Sequence, residues 1–270
     1  MTNALIPALD AFLEATREIE RQRILQPLER KLERELGHAF RMQRRSFLRM
    51  FRRTRSHFPE PVLRETLSPD DWEPLFTAAE LATIRLFEQP LTAIQAAALR
   101  AGGRAAIADL GLGLSFDLAH PEAVAWLQRV PLERIAGINA TTREQLRTIL
   151  VNAVEHGQGY EQTAREIATR LTSYYTPDAT KAIRSRAHSI AVTETGDAYV
   201  QGNLVVGHDL QRAGLTMEKR WLAEADACPI CDGNAAEDWI ALDDAFSSGD
   251  DAPTAHTNCR CDVEQRAVTG

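Results

Sequence analysis

The chain has four cysteines in 270 residues, and all of them fall within one stretch of 34. The order is Cys228-x2-Cys231, 24 intervening residues, then His256-x2-Cys259-x-Cys261. Zinc takes four nitrogen or sulfur ligands at the corners of a tetrahedron, and a two-residue gap lets both sulfurs of a tight knuckle face one ion. A second cluster farther along closes such a site and cross-links a segment too poor in apolar residues to pack alone. The candidate ligands are Cys228, Cys231, Cys259, Cys261 and His256, five for four positions, and spacing does not choose among them. No open coordination position stands out, so the expected cofactor is a structural Zn2+ rather than a catalytic one. Arg260 stands between two candidates and is the only basic residue from 221 to 264. It can offset part of the negative charge of a thiolate site.

Disulfides and metal-free thiols are the rival readings of the cysteines. Met1 to Pro7 lack a positively charged start followed by a long apolar run, so no secretory signal is expected. Synthesis in a reducing cytoplasm favours metal ligation over disulfides.

Other chemistry-bearing residues are weaker. Residues 41–55 carry seven arginines and no acid. Arg41, Arg44, Arg45, Arg49, Arg52 and Arg53 are therefore candidates for contact with a partner or with DNA phosphates, each neutralised phosphate releasing a counterion. The bland alternative is a solvated helix face with Phe47 and Phe51 turned inward. Thr193-Glu194 resembles a catalytic pair, but a carboxylate in mid-helix near Arg184 and Arg186 more often forms a buried or capping ion pair. His120, His188 and His208 form no second metal pattern. Neither a phosphate-binding glycine loop nor a Gly-x-Ser-x-Gly elbow occurs, and enzyme activity is not expected. One alternative is a zinc-dependent nucleic-acid-processing enzyme with Glu224 or Asp226 as general base; another is a DNA-binding accessory protein.

The elements that must position these residues are mostly helices. Ala, Leu, Arg and Glu are plentiful and aromatics make up 6% of the chain, so the fold class is mainly α. Leu25, Leu28, Leu32, Leu36 and Phe40 recur at helical spacing within one or two long helices over 5–58, which Pro27 is expected to kink or divide. Pro59 and Pro61 should end that run. Ser68-Pro69-Asp70-Asp71 opens a second helix to about residue 88, and Pro90 should end it. Gly102, Gly103, Gly111 and Gly113 mark loops or close backbone approaches. Thr142 with Gln145, or Thr141 with Glu144, fits a capping box for a helix to about residue 156, ended by Gly157 and Gly159. A short helix over 160–171, a long one from Pro177-Asp178 to about 205 and a strand near 219–222 complete the reading.

The chain thus divides into a basic helical arm (1–60), a helical region (61–135), a helical core (136–210) and a small zinc-stabilised, β-containing C-terminal module (211–270). Its net charge of −7 is unevenly spread, with a local +8 over 17–55 and a local −10 over 221–264. A uniformly basic nucleic-acid coat is excluded, a basic arm is not. No uninterrupted apolar run approaches the length of a membrane span, and no membrane span and no small-molecule substrate are expected.

Residues from about 90 to 264 resemble the head morphogenesis family of tailed bacteriophages, the phage Mu F-like proteins. The resemblance rests on Lys219-Arg220-Trp221, Asp226, Cys228-Pro229-Ile230-Cys231, Pro253 and above all His256-Thr257-Asn258-Cys259-Arg260-Cys261. That last run is close to the family's His-Pro-Asn-Cys-Arg-Cys, with Thr257 in place of proline. Residues 186–196 and 137–142 fit the family's order too, with Val192 where arginine is common and His188 unmatched. The resemblance implies a minor structural protein of the virion at the portal vertex. Its partners would be the portal protein and other head components, and its role would extend from head assembly to genome packaging or ejection. Residues 1–60 lie outside it.

Overall fold

A computed structural model describes residues 5–54, 72–156, 158, 160–170 and 179–268. The expected signals at Pro59, Pro61, 68–71, Gly157, Gly159 and Pro177-Asp178 lie outside these residues. The described elements run α1 (Leu5–Thr54), α2 (Glu73–Leu81), α3 (Ile84–Asp109), α4 (Pro121–Glu155), α5 (Tyr160–Arg170), α6 (Ala179–Arg212), β1 (Met217–Leu222), α7 (Pro229–Ala235), β2 (Ile240–Ala241) and β3 (Asp262–Ala267). The protein is mainly helical, with one small antiparallel sheet in the order β2-β1-β3.

The helices run on through three prolines, against the expectation at Pro90. Pro27 and Pro90 do not divide their helices, and α4 runs through Pro131. An internal proline removes one backbone hydrogen bond and costs about 3 kcal/mol. Burial on either side outweighs that cost here: Phe87, Leu91 and Ile94 flank Pro90, and Val130 and Ile135 flank Pro131. The break predicted at Pro90 falls instead at Ala82–Thr83, where the Thr83 hydroxyl donates to the Ala79 carbonyl at 2.8 Å. Thr141 and Thr142 do not cap a helix start. Both sit within α4, and their hydroxyls donate to the carbonyls of Gly137 and Ile138 one turn back. Inside a continuous helix the backbone N–H groups already have partners one turn back, so no cap is needed.

Two compact units share the chain. The second unit comprises 32–93 and 125–189. Its core joins Phe47, Phe51, Trp72 and Phe76 to Leu146, Ile149, Leu150 and Ile167. The Phe47 and Phe76 rings stack at 5.4 Å, and Phe51 meets Trp72 at 5.3 Å. Buried Gln43 donates to Asn139 at 2.8 Å, so this core carries a satisfied polar pair.

The first unit comprises residues up to 31, 94–124 and from 190 onward. Here α3 and α6 approach closely through glycine. A Cβ on Gly102 would lie 1.8 Å from the Tyr199 carbonyl oxygen, and one on Gly202 would lie 1.9 Å from that of Leu99. The expected close approach is therefore real at Gly102, whereas Gly111, at φ +65°, lies in the loop that follows α3. The sheet packs beside these helices. Met217, Lys219 and Trp221 alternate inward from β1, and Trp221 pairs with Val263 of β3. Val200, Leu204, Met217, Leu242 and Val263 form one apolar cluster of this unit.

Candidate metal centre

Cys228 ends the loop after β1 in an extended conformation at the N-cap of α7, and Pro229 then starts that helix. Cys231 lies within α7, where it is buried against Trp221, Phe246, Cys259 and Cys261. Cys259 and Cys261 precede β3, so register with β1 fixes their backbone. Trp221 and Phe246, edge to face at 5.1 Å, wall the cluster. The tail residues of the sequence motif therefore converge because a strand, a one-turn knuckle and a second strand start are folded together.

All five predicted donors are brought together, in two triads that share Cys231: Cys228, Cys231 and His256, and Cys231, Cys259 and Cys261. Within each triad the donor atoms lie within 4.8 Å of one another. Nε2 of His256 is 3.2 Å from the Cys228 sulfur and 3.4 Å from that of Cys231. The Cys231 and Cys259 sulfurs are 3.8 Å apart. A tetrahedral zinc with Zn–S bonds near 2.3 Å would set sulfurs about 3.8 Å apart. On the other side of the imidazole, Nδ1 is 3.0 Å from the Thr257 carbonyl. A proton held there leaves the Nε2 lone pair facing the sulfurs, the tautomer a metal ligand needs.

The electrostatics fit a cation as well. The Cys259 thiol, donating its hydrogen bond, holds Cys261 down to about 5 against the effect of burial. The same bond, together with burial, raises Cys259 above the usual thiol range. Burial, then Cys261, push Cys231 up to about 12. The backbone N–H of Cys231 lowers Cys228, and the Thr257 carbonyl raises His256. Sulfurs this close cannot all ionise without a cation, whereas a divalent metal would displace their protons. Four soft sulfur donors and one imidazole suit zinc, and five protein donors for four positions leave none for water. The two triads meet at Cys231, and their geometry does not choose among the other four donors.

Several predicted residues have other partners. Arg260 is not turned to the thiols: its guanidinium meets both Glu29 oxygens, at 3.1 and 3.2 Å. Asp226 is exposed, while burial, followed by Glu224, pushes the Glu18 carboxyl up to about 7. Thr193 and Glu194 serve the architecture. The Thr193 hydroxyl accepts the Asn258 N–H at 2.9 Å, and buried Glu194 accepts from Gln95 at 3.0 Å. Asn258, at φ +64°, thereby holds the turn that carries Cys259.

The arginine run lies apart from this cluster in sequence and forms no part of it. Arg41, Arg45, Arg49, Arg52 and Arg53 are exposed, while Phe47 and Phe51 turn inward. Arg44 is half-buried and donates to the Ala168 carbonyl at 3.1 Å, in the last turn of α5. Burial, then Arg45 and Arg41, lower its pKa.

Sequence reasoning missed Arg21, which is 4% exposed. Its Nη1 and Nη2 donate to the carbonyls of Arg260 and Cys261 at 2.5 and 3.1 Å. The available signal was a charge standing four residues before Leu25 in the apolar seam.

Among the described residues, no helix is long and apolar enough to cross a membrane. No curated protein and no solved structure matches the chain. The family resemblance is borne out over a shorter span than expected, since residues 137–142 and the stretch from 90 fall before the match begins. Residues 144–264, which include all five candidate ligands, match the model of the phage Mu protein F like family, a phage head morphogenesis family.

Proposed function

We propose that this protein is a minor structural head protein of a tailed phage or prophage, acting at the portal vertex in head assembly. The observation that carries the proposal is the family match over 144–264, which coincides with the only Cys/His clusters among the described residues. Zn2+ is the structural cofactor of the C-terminal module, held by four of Cys228, Cys231, His256, Cys259 and Cys261. With more protein donors than coordination positions, the ion keeps no water to activate, which supports a structural zinc and a non-enzymatic head protein. Its partners are the portal protein and other head components, it is located in the virion, and its work extends to genome packaging or ejection. Mass spectrometry of purified virions and procapsids tests this. The protein should be present at few copies and co-purify with the portal; absence from both particles would overturn the reading.

One observation favours an accompanying role in DNA contact: Arg41, Arg45, Arg49, Arg52 and Arg53 are exposed on the last third of α1. If they meet phosphates, duplex affinity should fall with salt with a log–log slope of about −4. Charge neutralisation at Arg45, Arg49 and Arg52 should flatten that slope. Salt-insensitive binding would remove DNA from the list of partners.

A further inference from the structure

The segment that delivers two of the candidate sulfurs is gripped from α1, a helix that lies outside the family match. Arg21 reaches across 239 residues of sequence to donate to the Arg260 carbonyl, and its second nitrogen donates to the Cys261 carbonyl. Its Nε is 3.5 Å from an Asp262 oxygen, and the guanidinium lies over the Tyr199 ring at 5.5 Å. About 12 Å further along the helix, Glu29, 6% exposed, takes both nitrogens of Arg260. Arg17 pairs with Glu264 of β3. Three successive sites on α1 thus hold the segment from Arg260 to Glu264, Arg21 through its backbone carbonyls and Glu29 and Arg17 through the side chains of Arg260 and Glu264.

Leaving a buried arginine without hydrogen-bonded partners is strongly destabilising. Arg21 finds its two carbonyls only when residues 260–262 run along α1. In that arrangement Arg260 turns to Glu29, while Cys259 and Cys261 turn to Cys231. We infer that Arg21 and Glu29 are the positioning residues of the metal centre, and that metal loading and docking of the first half of α1 are one coupled equilibrium. The inference rests on the zinc reading above. Linkage makes it reciprocal: whatever factor the α1 contacts contribute to metal affinity, the metal contributes to holding α1 in place. The working metal module is therefore larger than the stretch that matches the family.

The full chain tests this by zinc competition against a chelator, cobalt absorption and hydrogen exchange. Removing an outer-sphere partner of a metal site typically lowers affinity about 10–100-fold, and Arg21→Ala should fall in that range. Arg21→Lys, which cannot serve both carbonyls in the same fork, should fall between it and the unaltered chain. Glu29→Gln keeps the shape and removes the charge, and should lose about 10-fold, at the lower end of the same scale. In the unaltered chain, removing the metal should release exchange protection over residues 17–29 while 146–155 stay protected, a readout that does not depend on any variant folding. If Arg21→Ala and Glu29→Gln bind zinc and shape the cobalt spectrum as the unaltered chain does, the positioning role fails and the metal reading stands. Unchanged protection over 17–29 on metal removal overturns the coupling in the same way. An unaltered chain that takes up neither metal overturns both.

Discussion

The two compact units reach stability by different means. The second is an apolar core: Phe47, Phe51, Trp72 and Phe76 pack ring on ring against leucine and isoleucine. In the first, the C-terminal portion has only three aromatic residues after Arg212, namely Trp221, Trp239 and Phe246. Beside a small apolar cluster it relies on buried polar contacts, such as Arg21 with the carbonyls of Arg260 and Cys261 and Gln265 with Asn203, and on the Cys/His cluster. An apolar core loses stability side chain by side chain. A polar network, with the proposed zinc at its centre, depends on all its members at once, because each partner that leaves strands a buried charge or donor.

The most severe way to break the comparison is to remove the proposed zinc. Structural zinc supplies on the order of 10 kcal/mol in small modules. Chelation, or Cys231→Ser, should therefore abolish exchange protection over 217–267 and leave that over 146–155 intact. Equal loss in both stretches would mean the units do not differ as argued. The complementary cut is Phe47→Ala, which should destabilise the second unit by about 3–5 kcal/mol in denaturant melts while zinc affinity stays unchanged.

Smaller changes sharpen the contrast. Gly202→Ala would bring a Cβ to 1.9 Å from a backbone oxygen, which should cost about 1–3 kcal/mol and lower the melting temperature. At Gly137, exposed in α4 with nothing near its missing side chain, the same change should stabilise by about 0.5–1 kcal/mol.

A comparably small effect comes from Glu18, whose carboxyl is raised to about 7 by burial and then by Glu224. The folded chain holds this proton more tightly than the unfolded chain does. Stability from Glu18 is therefore complete below about pH 4.5, the ordinary range of a glutamate, and declines as pH rises through 7. Glu18→Gln should remove that decline and stabilise the protein by about 1 kcal/mol at pH 8, allowing for partial exposure. Melting temperatures at pH 5 and pH 8 would measure it, and a larger gain at pH 5 would reverse the sign of the argument.

Much of the candidate site was legible because its signals are local. The two-residue gap, the His256 to Cys261 run and their confinement to one acidic stretch are properties of neighbouring residues, and they name the donors without a fold. The helical class, α5 and the β1 strand were readable for the same reason, from short-range propensity and periodicity. Helix boundaries at proline were not. Whether Pro90 or Pro131 breaks a helix depends on what the flanking turns bury, as Phe87, Leu91 and Val130 do here, and that is decided by residues distant in sequence.

The sequence by itself determined a mainly helical chain, five donors of zinc-like chemistry and a head-morphogenesis motif around them. The tertiary structure alone decided that Arg21 and Glu29, charges set within the apolar seam of α1, hold the segment carrying two of those donors. Their partners stand more than 200 residues away, and no local pattern can specify where a buried guanidinium finds its carbonyls. Burial requires that it find them, and the fold supplies which ones.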